Sequence, residues 1–125
     1  MPNINACLGL AQIRQLPKYL EIKRELFQYW SKFFLKYDLT TKGPVGKEVS
    51  NHWIIPVEFP KPEDRVAFLE NTNKRKIGTR PVWTLMTKLP MYKNCYNDGL
   101  ANSLKAENHL VCIPSGVPSA KMTSR

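Results

Sequence analysis

Acidic side chains are scarce in this chain, 10 Asp and Glu against 19 Lys and Arg, and it has only two histidines and three cysteines. Cys7, Cys95 and Cys112 are odd in number and show no CxxC spacing, which argues against a disulfide framework or a zinc site and for reduced thiols in a cytoplasmic protein. His52 and His109 stand alone, each beside a strand-like run, with no second ligand spaced to join either. No apolar run approaches the roughly 20 residues that cross a bilayer, and the N-terminus lacks the charged-then-apolar pattern of a secretory signal. P-loop, GxGxxG, HExxH and GxSxG patterns are all missing. On residues alone, no catalytic set can be assembled.

What is present suits one domain, or a piece of a larger protein. At 125 residues and 14.4 kDa, with 42% apolar residues and three tryptophans, the chain can bury a core. The net charge of +9 is spread along the chain, densest at Lys18 to Lys36 and Asn73 to Arg80. A nucleic-acid binder needs a basic face interleaved with stacking aromatics. Here the aromatics fall mostly at core spacings. A lysine-rich proteome, or attraction to a phosphorylated small molecule, explains the charge as well.

Helix is expected over residues 3–36, in two parts. Ile4, Cys7, Leu8 and Ala11 share one face of the first part, and Pro17 breaks the run by removing a backbone donor. Leu20, Phe27, Trp30 and Phe34 then form an apolar stripe that reads as core. Residues 38–49 are a loop by composition. "SNHWIIPVEF" (50–59) reads as a strand in which Pro56 marks an edge or a bulge. Residues 60–78 form a helix unit with Pro62, Glu63 and Asp64 at its start, Val66, Leu69 and Ile77 inward, and Gly78 as the stop. "TRPVW" is a short strand. "NDGLANSLKAENH" is a helix capped by Asn97 or Asp98, with Leu100, Ala101 and Leu104 inward. "LVCIP" is a buried strand, and residues 115–125 look like a tail. The expected class is α/β, with long N-terminal helices (1–37) packed on a small layer (50–116).

The segment "RPVWTLMTKLPMY" (80–92) fits neither period. It is a long irregular loop, and such loops inside compact domains are usually functional or mobile. Arg80, Lys88 and Lys93 could meet phosphates, while Trp83, Met91 and Tyr92 could enclose a ring. A packed connection whose Trp and Met plug the core is an equal alternative.

Four blocks in order, "INACLGLAQIRQL", "SNHWIIPVEF", "FLENTNKRKIGTRPVWTLMTKLPMY" and "CIPSG", resemble the C-terminal part of the DegT/StrS family of sugar aminotransferases. The form "TRPVWTLMTKLPMY" is similar to the branch that aminates UDP-linked 4-keto-6-deoxy-N-acetylhexosamine on routes to legionaminic-type sugars. The resemblance implies the small C-terminal domain of a fold-type I aminotransferase. It implies pyridoxal phosphate as cofactor, held mainly by an N-terminal domain outside this chain that also carries the Schiff-base lysine. A UDP-sugar substrate, glutamate as the amino donor and a homodimer follow from it too. No nucleic-acid or membrane partner does. By position, the 80–92 loop would form a wall of the sugar-nucleotide pocket. Arg80 would meet the substrate phosphate or fix the loop, Trp83 and Met86 would shape the sugar site, and Lys88 and Tyr92 would stand behind them. Relatives often carry histidine near Met86, so that histidine's role is not carried over. Asn5 is structural on this reading. Ser115 and Gly116 either line the cleft or make a simple turn. Met1 matches an internal family methionine, so the chain is expected to be an excised domain, a truncated gene or a partial protein, inactive by itself.

Overall fold

Pro17 does not divide the first helix. In the computed structural model, which describes residues 2–117, α1 runs unbroken through it from Asn3 to Leu35. A proline inside a helix deletes one backbone hydrogen bond and crowds the preceding turn. Two features soften that loss. The segment is exposed, so water can serve the freed carbonyl. The Tyr19 hydroxyl also donates to Gln15 Oε1 at 2.8 Å, a side-chain brace spanning the proline. The helix ends where Asp38 takes a left-handed φ of 56° and Leu39 N–H returns to Phe34 O at 3.1 Å.

Four strands follow in the spatial order β1-β2-β4-β3, all antiparallel. They are β1 (Thr40–Thr41), β2 (Ile55–Glu58), β3 (Arg80–Pro81) and β4 (Leu110–Ile113). β2 and β4 are the central pair, in register from Ile55↔Ile113 to Glu58↔Leu110. Pro56 therefore sits in a strand with neighbours on both sides, not at the sheet edge. Lys42 N–H donates to Pro56 O at 2.8 Å, and the reciprocal bond would need the donor that proline lacks. β1 is paired only as far as Thr41, so Pro56 ends that short ladder without interrupting the central one.

Alternation along β2 and β4 points Ile55, Val57, Val111 and Ile113 at one face, where all four are buried. Phe34 of α1 and Phe59 complete this core. Phe68 of α2 (Pro62–Lys74) packs against both phenyl rings, at centroid distances of 6.3 Å to Phe34 and 5.0 Å to Phe59. Helices thus cover one face of the sheet, and Pro56, Glu58, Leu110 and Cys112 are half-buried on the other. Leu69 packs inward as expected, but Val66 and Ile77 are exposed. Lys76, at φ 61°, turns the chain out of α2 before Ile77, so the helix stop lies there and not at Gly78.

Two boundaries also move. The expected strand 50–59 begins only at Ile55, because Ser50 Oγ and Asn51 Oδ1 accept the N–H groups of His52 and Trp53, at 3.0 and 2.9 Å. The helix expected over 97–109 is α3, Ala101–His109. Gly99 and Leu100 both have positive φ, and Asn97 and Asp98 bond to those two residues, building a turn ahead of the helix. Of the residues expected inward on it, Ala101 and Leu104 are exposed. The expected tail falls largely on 118–125, outside the described residues, as does Met1.

Candidate functional site

The adjacent ends of β3 and β4, with the loop ahead of β2, enclose a cavity of about 310 Å³. Its wall includes Trp53, Ile54, Arg80, Trp83, Cys112 and Ser115. Each is placed by a local cause. Arg80 is paired with Cys112 across the sheet, and its position is fixed one residue earlier. Buried Thr79 shares a 2.5 Å hydroxyl contact with Thr72 of α2, and its carbonyl accepts from Asn73 Nδ2 at 3.1 Å. No carboxylate pairs with Arg80 among the described residues. The guanidinium is thus an exposed cation without a carboxylate partner among the described residues, suited to a phosphate.

Lys23 of α1 ties the opposite rim together. Its Nζ donates to His52 O at 3.0 Å and Ser115 O at 2.6 Å, and the Ser115 hydroxyl donates to Trp53 O at 2.5 Å. Burial lowers the pKa of Lys23. Burial also lowers that of His52, reinforced by the positive Lys23 and Arg24, so the ring is neutral at pH 7. His52 stacks on Phe27 with centroids 4.3 Å apart. It is a packed residue, as is His109, whose Nδ1 meets Phe59 O at 2.7 Å. Burial pushes the Cys112 thiol up, which keeps it protonated and unreactive. Among the described residues, no metal-binding group of His, Cys, Asp and Glu occurs and no helix is long and apolar enough to cross a membrane.

Of the residues singled out in and beside the 80–92 segment, Arg80 and Trp83 line the cavity; Met86, Lys88, Met91, Tyr92 and Lys93 do not. Two 3-10 turns, Met86–Lys88 and Pro90–Tyr92, carry the segment away from it. Lys88 is engaged elsewhere, with Nζ 2.5 Å from Glu107 Oε2 of α3. That bond is the main reason the Glu107 carboxyl lies below the usual range. Glu107 Oε1 also accepts Leu85 N–H at 3.3 Å, so this pair latches the loop to α3.

Trp53 was not among the expected site residues. Strand alternation would put it on the same side as Ile55 and Val57. Instead His52, at φ 48°, inverts the local pattern, so His52 is buried and Trp53 faces out. The only advance signal was the pair of short polar residues Ser50-Asn51, which favour such turns.

A long helix lying with a second helix on one face of a small antiparallel sheet also occurs in a solved aminotransferase, TlmJ from Streptoalloteichus hindustanus. The TM-score is 0.78 over 90% of this chain and 31% of that one, at 19% identity. The fold is that of an aminotransferase segment. Residues 1–123 match the model of the DegT/DnrJ/EryC1/StrS aminotransferase family, and the chain belongs to that family. GDP-perosamine synthase of Escherichia coli O157:H7 is 28% identical over 100 residues, which are 77% of this chain and 26% of that protein. The chain thus spans about a quarter of that curated relative.

Proposed function

We propose that this chain forms part of a nucleotide-sugar aminotransferase and supplies one wall of its substrate cleft. Arg80 binds the diphosphate and Trp83 lies against the remainder of the ligand. The observation that carries the reading is the exposed Arg80, with no carboxylate partner among the described residues, beside Trp83 in a cavity of about 310 Å³. Family membership directs it to an aminotransferase, and the relative that makes GDP-perosamine directs it to a nucleoside-diphosphate sugar. The form of the 80–92 segment narrows the substrate to a UDP-linked 4-keto-6-deoxy sugar, with glutamate as the amino donor and a homodimer as the working assembly. Met86 and Tyr92 remain outside the binding set, and Lys88 is given a latching role.

Pyridoxal phosphate supplies the electron sink for transamination when bound. The described residues do not fit the amine-bearing half of its site. No lysine lines the cavity, and Lys23 at its rim is committed to two carbonyl oxygens. No chemical step is assigned to this chain, whose contribution is binding and orientation. Mixed with pyridoxal phosphate, it should show no internal-aldimine absorbance with turnover.

The test is calorimetric titration of the chain with UDP, GDP and UDP-N-acetylglucosamine. Arg80→Met should weaken all three by about tenfold or more, the worth of a charge-assisted phosphate contact. Equal binding by wild type and Arg80→Met would reject the reading. A preference for GDP would move the substrate from the uridine to the guanosine series.

A further inference from the structure

Two tryptophans stand in the open on this structure, Trp53 at 68% and Trp83 at 69% exposure, and both line the same cavity. Their ring centroids are 6.0 Å apart with planes inclined at 44°. They come from opposite directions along the chain, one from the turn ahead of β2 and the other from just beyond β3. We propose that Trp53 is a second binding residue of the cavity, and that the two indoles form an angled bed for the sugar ring of the ligand. The inference rests on the reading above that the cavity accepts a nucleoside-diphosphate sugar.

Geometry chooses the sugar over the base. A flat base held between two aromatic faces needs them parallel and separated by about twice the 3.5 Å contact distance between carbon atoms. Indoles at 6.0 Å and 44° leave no such slot. A flat ring could rest on one of them only. A pyranose chair is thick, and it carries C–H groups directed to several sides. Such a ring can set C–H groups against both inclined π-faces, whose negative quadrupole favours the weakly positive hydrogens. Arg80, on the same wall, is placed for the diphosphate attached to that ring.

The backbone beneath Trp53 is held before any ligand arrives. Its N–H donates to Asn51 Oδ1 at 2.9 Å, and its carbonyl accepts the Ser115 hydroxyl at 2.5 Å. The preceding residue, His52, is pinned by Lys23 at 3.0 Å and by its stack on Phe27. A tryptophan side chain has two rotatable bonds, so little freedom remains to be lost on binding. The result is a large apolar surface kept wet at a fixed position, where burial against a ligand gives a gain that folding has left unused.

The test separates this inference from its parent. Wild type, Trp53→Ala, Trp53→Phe and Arg80→Met are titrated with UDP-N-acetylglucosamine and, separately, with UDP. Tryptophan fluorescence is followed beside calorimetry, with the indole of Trp30, whose Nε1 is buried, as an internal reference. Trp53→Ala should weaken UDP-N-acetylglucosamine about 3- to 10-fold and leave UDP within about twofold, while Trp53→Phe recovers part of the loss. Because the side chain is exposed, the melting temperature should hold, which separates lost binding from lost fold. Equal weakening of both ligands by Trp53→Ala would assign Trp53 to the base and overturn the inference. No effect on either, with Arg80-dependent UDP binding intact, would overturn it and leave the parent reading standing. Absence of Arg80-dependent binding of either ligand would remove both.

Discussion

The two halves of α1 share one helical geometry and differ in what they touch. In the C-terminal half, Phe27, Trp30 and Phe34 meet the sheet, and Phe34 is buried against the strand pair carrying Ile55 and Val57. In the N-terminal half, Ile4, Leu8 and Ile13 are 77%, 62% and 66% exposed. Both halves carry an apolar stripe. A stripe states that a face is meant to be covered and leaves open by what; here the cover of the first half is not among the described residues. The N-terminal half is thus carried by the anchored one, because nucleating a helix is costly and extending it is not.

The sharpest way to break this comparison is to remove the anchor. Phe34→Ala should destabilise the chain by about 3–5 kcal/mol, since it deletes a buried phenyl contacting Trp30 and Phe68 and leaves a cavity. Denaturant unfolding followed by circular dichroism would show it as a lower midpoint for the main transition. A gentler attack adds atoms at the same junction. A Cβ at Gly43 would lie 2.7 Å from Phe27 Cζ. Gly43→Ala should therefore cost about 1–3 kcal/mol by overpacking, and an unchanged midpoint would mean the Phe27 ring is free to retreat.

How much of this was legible beforehand follows the same division. The aromatic stripe of α1 and the start of α2 at Pro62 with its acidic first turn are set by local spacing and charge, and they read correctly. Continuity of α1 through Pro17 did not, because the brace between Gln15 and Tyr19 and the exposure of the segment offset a rule that holds for buried helices. Boundaries at Ile55 and Ala101 were misplaced for another reason. His52 and Leu100 adopt left-handed conformations that non-glycine residues seldom take, held by side-chain bonds that propensity does not register. At the candidate site, the odd character of the 80–92 segment marked Arg80 and Trp83, which line the cavity, no more strongly than Lys88, Met91 and Tyr92, which do not. Trp53 stayed hidden because the same left-handed His52 turns it out of strand parity.

His52 also gives the junction a pH signature. Its folded pKa is lowered, first by burial and then by Lys23 and Arg24. The unfolded chain therefore binds the proton more readily. The neutral ring's contribution is complete above a histidine's ordinary pKa of about 6.5 and is lost as pH falls from there through the folded value. Stability should drop on acidification below about pH 6.5, before carboxylates such as Glu58, itself held low by its bond to Lys42, begin to titrate. His52→Phe should be less stable at every pH, owing to the positive φ, yet nearly flat through that first window. A slope identical to wild type would assign the step to another group.

The smallest effects belong to the free half, and they are the most discriminating. Leu8→Ala should change the unfolding free energy by less than about 0.5 kcal/mol, as for an exposed site with no packing partner among the described residues. Pro17→Ala restores a backbone donor where α1 now lacks one. If the anchored half governs global unfolding, the midpoint should hardly move. Amide exchange should nonetheless slow across residues 4–16, because the extended half frays less often from its anchor. A large rise in the global midpoint would mean that both halves unfold as one unit, and that the contrast between them is one of exposure alone.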